Sequence, residues 1–259
     1  MEYGYLVVEG THDLEFVGKI LKHAGLKLIR KHEELDAFWK NSKLIPTVFP
    51  FDGDLLKRAP VPQFYQNNNI AIAIHCANSI TNLTKVYKYT FDNDNRMPGM
   101  LKSAGAVCDA DNNNDNAVES TFNGIRGALP ENYFHATQPG VVTINGFRNG
   151  AFIMPDNVNN GTFEDLLIEC GKKVYRNLFD GASVFINGID LTKLNTGEKK
   201  ELNKFAGKKK AIIGCMGNVL RPSKSIAVTI SDNRWVSADS LKLPNVKRLV
   251  AFISQLFDL

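Results

Sequence analysis

Three times along this chain an apolar run ends in an acidic turn rich in Gly or Asn, and a helical pattern follows. The first is Tyr5-Leu-Val-Val-Glu9-Gly10-Thr-His-Asp13 and the second Ala104-Gly-Ala-Val-Cys-Asp109-Ala-Asp111-Asn-Asn-Asn-Asp115. The third is Phe152-Ile-Met-Pro155-Asp156-Asn157, leading through Gly161 to Phe163-Glu164-Asp165-Leu-Leu. Uninterrupted apolar runs of this length read as strands buried on both faces of a parallel sheet, each followed by a turn and a helix. Open α/β sheets place their chemistry at the carboxyl ends of such strands. Glu9, Asp109 and Asp111 are therefore expected to meet at one end of the sheet. Carboxylates that share a site repel, and a hard divalent cation with oxygen ligands is the natural compensation.

The run Ile70 to Cys76 reads as another strand, and Leu26 to Ile29 and Thr47 to Phe51 as two more. Val141–Ile144 and Gly150–Met154 read as an antiparallel edge hairpin across an Asn-Gly turn. Apolar spacing places helices at Leu14–Leu21, Glu33–Trp39, Val86–Phe91, Val118–Gly127 and Phe163–Lys173. The stretch 52–69, with prolines and three consecutive asparagines, reads as an exposed loop. From Thr192 the pattern is mostly helical, with one extended run at Ser225–Ile230 and a last apolar helix at Val246–Phe257. The expectation is an α/β fold: a mostly parallel sheet flanked by helices over residues 1–191, and a helical C-terminal extension, 192–259, packed on it.

At 44% hydrophobic and 22% charged residues, the 259-residue chain is rich enough to build a packed core. The formal charge of +4 permits a polyanionic partner without demanding one. Its distribution says more, because Lys199, Lys200, Lys204 and Lys208–Lys210 form a basic block. A solvated helix face is the alternative reading of that block. Four scattered cysteines show neither zinc spacing nor a disulfide framework, and no apolar stretch is long enough to span a membrane. With no signal-like segment at its start, the chain reads as cytoplasmic. Walker and dinucleotide glycine patterns are missing, so no nucleotide-cofactor residues are assigned.

The pairing of Val-Glu9-Gly-x-x-Asp13 with a later Asp109-x-Asp111 after a strand resembles the TOPRIM domain of topoisomerases, bacterial primases and OLD (overcoming lysogenisation defect) nucleases. With Pro155-Asp-Asn and Glu164-Asp-Leu-Leu added, the chain is similar to small stand-alone bacterial TOPRIM proteins. The turn Asn78–Leu83 lacks the glycines expected there. The resemblance implies a nuclease using Mg²⁺ or Mn²⁺ on DNA or RNA by a two-metal mechanism. Glu9, Asp109, Asp111 and Glu164 would be the metal ligands, and Glu9, Asp109, Asp111 and Lys210 the catalytic set. Asp13, Asp115 and Asp165 would stand behind them, Asp13 and Asp115 being equally suited to cap helices. Lys210 is chosen over Lys208 and Lys209 because Ala211-Ile-Ile continues an apolar helix. Relatives of this kind act in phage defence beside a separate ATPase, which would be a partner here; a homo-oligomer is left open. The rival readings are a non-catalytic TOPRIM module that binds metal or a partner, and nucleotidyl transfer, which the lack of a zinc module disfavours.

Overall fold

The computed structural model describes residues 1–50, 53–55, 61–110 and 115–259, apart from the side chain of Pro98. At its centre is a seven-stranded sheet of order β2-β3-β4-β1-β5-β7-β6. The strands are β1 (Glu2–Val8), β2 (Lys27–Ile29), β3 (Gln63–Gln66), β4 (Ile70–Cys76), β5 (Leu101–Asp109), β6 (Thr143–Asn145) and β7 (Phe147–Met154). The four central strands, β4-β1-β5-β7, are mutually parallel. Antiparallel pairings, β4 with β3, β3 with β2 and β7 with β6, flank them on both sides. Tyr5 to Val8 of β1 are fully buried, as a strand covered on both faces requires.

One face carries α1 (Thr11–His23), α6 (Phe163–Val174), α7 (Arg176–Asn187), α9 (Gly207–Leu220), α10 (Ile226–Asp232) and α11 (Pro244–Phe257), around a core that runs from Leu6 and Phe152 to Trp235 and Phe257. The other carries α2 (Ala37–Lys40), α3 (Ile80–Asn93), α4 (Met97–Met100) and α5 (Ala117–Ala128), around Tyr5, Trp39, Tyr87 and Phe122. The short α8 (Thr196–Leu202) packs on α9. No helix among the described residues is long and apolar enough to cross a membrane.

Glycines on three parallel strands seat α11. A Cβ at Gly4 would lie 2.6 Å from the Phe257 ring, one at Gly105 2.7 Å from Leu256, and one at Gly150 2.8 Å from Phe252. The bare backbone there lets the last helix lie directly on β1, β5 and β7.

The structure corrects four expectations. Ser225–Ile230 is not extended: it opens α10, with Ser225 Oγ accepting the Val228 N–H at 3.4 Å. The inward residues Ile226, Thr229 and Ile230 follow a helical spacing hidden in a short β-branched run. No strand forms at Thr47–Pro50: Val48 to Pro50 are bends, with Val48 and Phe49 exposed, while Phe51 lies outside the described residues. The expected loop over 52–69 contains β3, whose Phe64 and Tyr65 are buried while their Gln neighbours are half-buried. The expected Glu33–Trp39 helix is split into a 3₁₀ turn at His32–Glu34 and α2, which starts after Asp36 accepts the Phe38 N–H at 2.8 Å.

Candidate functional site

The parallel registers align Val8 with Val107 and Asp109 with Met154, so the carboxyl ends of β1, β5 and β7 open together. Glu9 continues β1, its N–H bonded to the Val107 carbonyl at 3.0 Å. Its Oε2 accepts the Asp109 N–H at 3.1 Å, which ties the first acidic turn to the second. Asp109, the last residue of β5, accepts the Phe163 N–H at 2.8 Å and so joins that strand to the first residue of α6.

Helices α1 and α6 begin with the same device. Asp13 accepts the Gly10 N–H at 2.7 Å, and Asp165 accepts the Thr162 N–H at 3.0 Å. Both close a first turn by reaching back to the residue before the helix. The positive ends of two helix dipoles thus lie next to the acidic cluster, which favours charge there. Glu164, one residue before Asp165, is buried in the first turn of α6. Its Oε2 and the Oδ1 of Asp13 are both buried without a hydrogen-bond partner.

These acids feel one another. Burial raises the Asp109 carboxyl well above its ordinary range, and the charges of Asp13, Glu9 and Glu164 raise it further, against the Phe163 N–H. Asp13 is pushed up to about 8, first by burial and then by Glu9 and Glu164, with the Gly10 N–H opposing. Lysines of α9 offset the charge: Lys209 Nζ is 2.7 Å from Asp165 Oδ1, and Lys210 Nζ is 3.9 Å from Glu164 Oε1. Beside them a cleft of about 260 Å³ is lined by His12, Glu164, Leu167, Lys210, Ile213 and Ile226. Burial lowers the His12 pKa, Lys210 lowers it further and Glu164 opposes, so the imidazole is held neutral.

The remaining sequence expectations fall as follows. Asp111 lies outside the described residues. Asp115 is exposed ahead of α5 and is not its cap, a place taken by Asn116. Asp156 is turned away from the cluster into its own turn, where it accepts the Val158 and Asn159 N–H groups and pairs with Arg248 at 2.9 Å. Cys76 is half-buried at the end of β4, its Sγ 3.4 Å from Asn78 Oδ1. Nothing in the sequence marked the Phe163 N–H as a partner of Asp109, because a backbone donor leaves no compositional signal.

The donors are all hard oxygen, and two of them, Asp13 Oδ1 and Glu164 Oε2, are buried without a partner, which is the chemistry a divalent cation satisfies. Among the described residues, however, no three His, Cys, Asp or Glu side chains close around one point as a metal group.

A family model described as "Protein of unknown function (DUF3226)" matches residues 3–258. The chain belongs to that family. This DUF3226 chain is also similar to a solved structure, the hypothetical protein PH0156 from Pyrococcus horikoshii OT3. The two are 17% identical with a TM-score of 0.53, over 99% of this chain and 95% of that one. At that identity the likeness is one of fold. A comparison with curated proteins finds no match.

Proposed function

We propose that this protein is a metal-dependent nuclease of the TOPRIM kind, cleaving phosphodiester bonds in DNA or RNA. The observation that carries the reading is the meeting of Glu9, Asp13, Asp109 and Glu164 at the carboxyl ends of parallel strands, where burial first and the neighbouring acids second raise Asp13 and Asp109 above the carboxylate range. Such an arrangement is unfavourable without a cation. Glu9, Asp109 and Glu164 would hold Mg²⁺ or Mn²⁺, with Asp111 as the further acid of the motif. When bound, such an ion would supply Lewis-acid activation of the phosphate and of water. The chain's own groups do the rest. Lys210, largely exposed at the cleft mouth, offsets charge that builds on the phosphate. Neutral His12 offers a proton donor or acceptor within the same cleft. Lys209, paired with Asp165, fixes α9 against α6 and so positions Lys210.

A second reading has its own support. Asp13 and Asp165 already serve as first-turn acceptors and Asp109 holds the Phe163 N–H, so the acids also suit a non-catalytic, partner- or ion-binding module. One experiment separates the two. Labelled single- and double-stranded DNA and RNA are incubated with the protein in Mg²⁺, Mn²⁺ or chelator. Cleavage is expected only with the ion, and Glu9→Gln and Asp109→Asn are each expected to lower the rate at least about 100-fold, the scale of lost transition-state stabilisation at such sites. Absence of cleavage on every substrate, or full activity in both variants, would overturn the nuclease reading. Calorimetric Mn²⁺ binding without cleavage would favour the module.

A further inference from the structure

Residues 196–210 hold six lysines against two glutamates, a net charge equal to the +4 of the entire chain. The rest of the molecule is therefore neutral in sum, and the whole positive excess sits on α8, the start of α9 and the turn between them. Of the two glutamates, Glu198 accepts the Asn195 N–H at 2.8 Å and Glu201 is paired with Lys204.

That segment also forms an open groove of about 1050 Å³. Its floor is apolar, with Ile189, Leu194, Leu202, Phe205, Ala206 and Ala211 among the lining residues. Phe205 lies in the turn between α8 and α9 and is 39% exposed. The Lys209 ammonium sits over its ring, 4.9 Å from the centroid, while the same group is held by Asp165. Lys210 lines both this groove and the acidic cleft beside His12 and Glu164, so the two adjoin at that side chain.

We infer that this groove binds single-stranded nucleic acid, with an unstacked base seated on Phe205 and the backbone neutralised by the surrounding lysines. The inference rests on the nuclease reading for its location and extends it to the substrate class. In a duplex the base faces are stacked on one another and only their edges are available, so an apolar floor with an exposed aromatic ring is wasted on it. An unpaired strand presents both a π-face and a phosphate at each step, which matches a ring flanked by ammonium groups. An acidic polypeptide would satisfy the lysines but leave Phe205 and the apolar floor without a planar partner.

The test is binding in chelator, where no cleavage occurs. Fluorescence anisotropy is measured with labelled dT₂₀, rU₂₀ and a 20-base-pair duplex, with poly-glutamate as competitor. The single strands are expected to bind at least about tenfold more tightly than the duplex. Phe205→Ala should weaken single-strand binding about fivefold to 100-fold, the size of one base–aromatic contact, while leaving the salt slope unchanged. Phe205→Trp should restore it. Lys208→Ala should instead flatten the salt slope. Both variants should match the wild type in circular dichroism and melting. Equal affinity for duplex and single strand, no effect of Phe205→Ala, or displacement by poly-glutamate at matched charge would overturn the inference. Because binding is read without metal, its failure is distinct from a failure of cleavage: Phe205-dependent binding by a protein that cleaves nothing would preserve the groove and remove the nuclease.

Discussion

Asp13 is where the cost of the acidic cluster can be read without any substrate. Its carboxyl is buried, capped by the Gly10 N–H on one oxygen and unsatisfied on the other. Its pKa rises from 3.8 to about 8 on folding, so between those values the folded protein binds more protons than the unfolded chain. Stability must then fall as pH rises through that window, with the penalty absent below about 4 and complete above about 8. In chelator, thermal melts from pH 5 to pH 8.5 are expected to show that decline. Asp13→Asn keeps an acceptor for Gly10 but carries no charge, so it should flatten the decline and raise Tm at pH 8.5 by several degrees. Adding Mn²⁺ to the wild type at pH 8.5 should recover the loss, because an ion that binds only the folded state stabilises it by mass action. A variant with an unchanged pH profile would show that Asp13 is not the group under strain. The first clue to this residue was legible in the sequence: an acid three positions after Gly10 at the start of an amphipathic pattern. Its burial was not, because that depends on Asp109 and Glu164 arriving from elsewhere in the chain.

Elements were legible in proportion to how uniform their environment is. The central strands β1, β4 and β5 lie inside the sheet, so each carries an unbroken non-polar run, Tyr5–Val8, Ile70–Ile74 and Ala104–Cys108, that announces itself. The short antiparallel strand β3, second from the sheet edge, has Gln at both ends and sits next to Pro and Asn, so local composition hid it; only pairing with β2 and β4 makes it a strand. Helix α10 was hidden for the opposite reason, since Ile-Ala-Val-Thr-Ile favours strands locally and packing against α1 and α9 overrides that preference. A specific fit between α1 and β3 can be tested. Gly18 faces Tyr65, and a Cβ there would stand 2.0 Å from the tyrosine hydroxyl and 2.7 Å from its Cζ. Tyr65 is buried and donates to Gln63 at 2.7 Å, so it has little room to move. Despite the better helix propensity of alanine, Gly18→Ala should destabilise by about 1–3 kcal/mol, the usual cost of overpacking. Tyr65→Phe removes the nearest atom and should recover part of that loss in the double variant, measured by urea unfolding. Additive effects would mean that the two side chains do not meet.

At the scale of the whole molecule, the position of the C-terminal helices decides whether the sheet can exist without them. From the sequence, residues 192–259 looked like an extension laid on a finished core. In the folded chain, α11 occupies the glycine-lined strip over β1, β5 and β7, and Val246, Leu249, Phe252, Ile253, Leu256 and Phe257 are all buried there. At about 1.5–3 kcal/mol for each large apolar side chain taken from water, these contacts contribute on the order of 10 kcal/mol. That is as large as the net stability of an ordinary domain, which is about 5–15 kcal/mol. The strip offers no substitute, since glycines have no side chains with which to cover the sheet. A chain ending at residue 191 would therefore expose Leu6, Val107 and Phe152 together with backbone. Such a fragment is expected to be expressed as aggregate, or as a species that binds a hydrophobic dye and lacks a cooperative melt. Gly105→Leu in the full chain should reproduce part of that effect by lifting α11, because its Cβ would already meet Leu256 and the Gly150 carbonyl. If residues 1–191 instead melt cooperatively with the sheet intact, the C-terminal helices are an accessory layer, and Lys209 and Lys210 reach the acidic cluster from a separable unit.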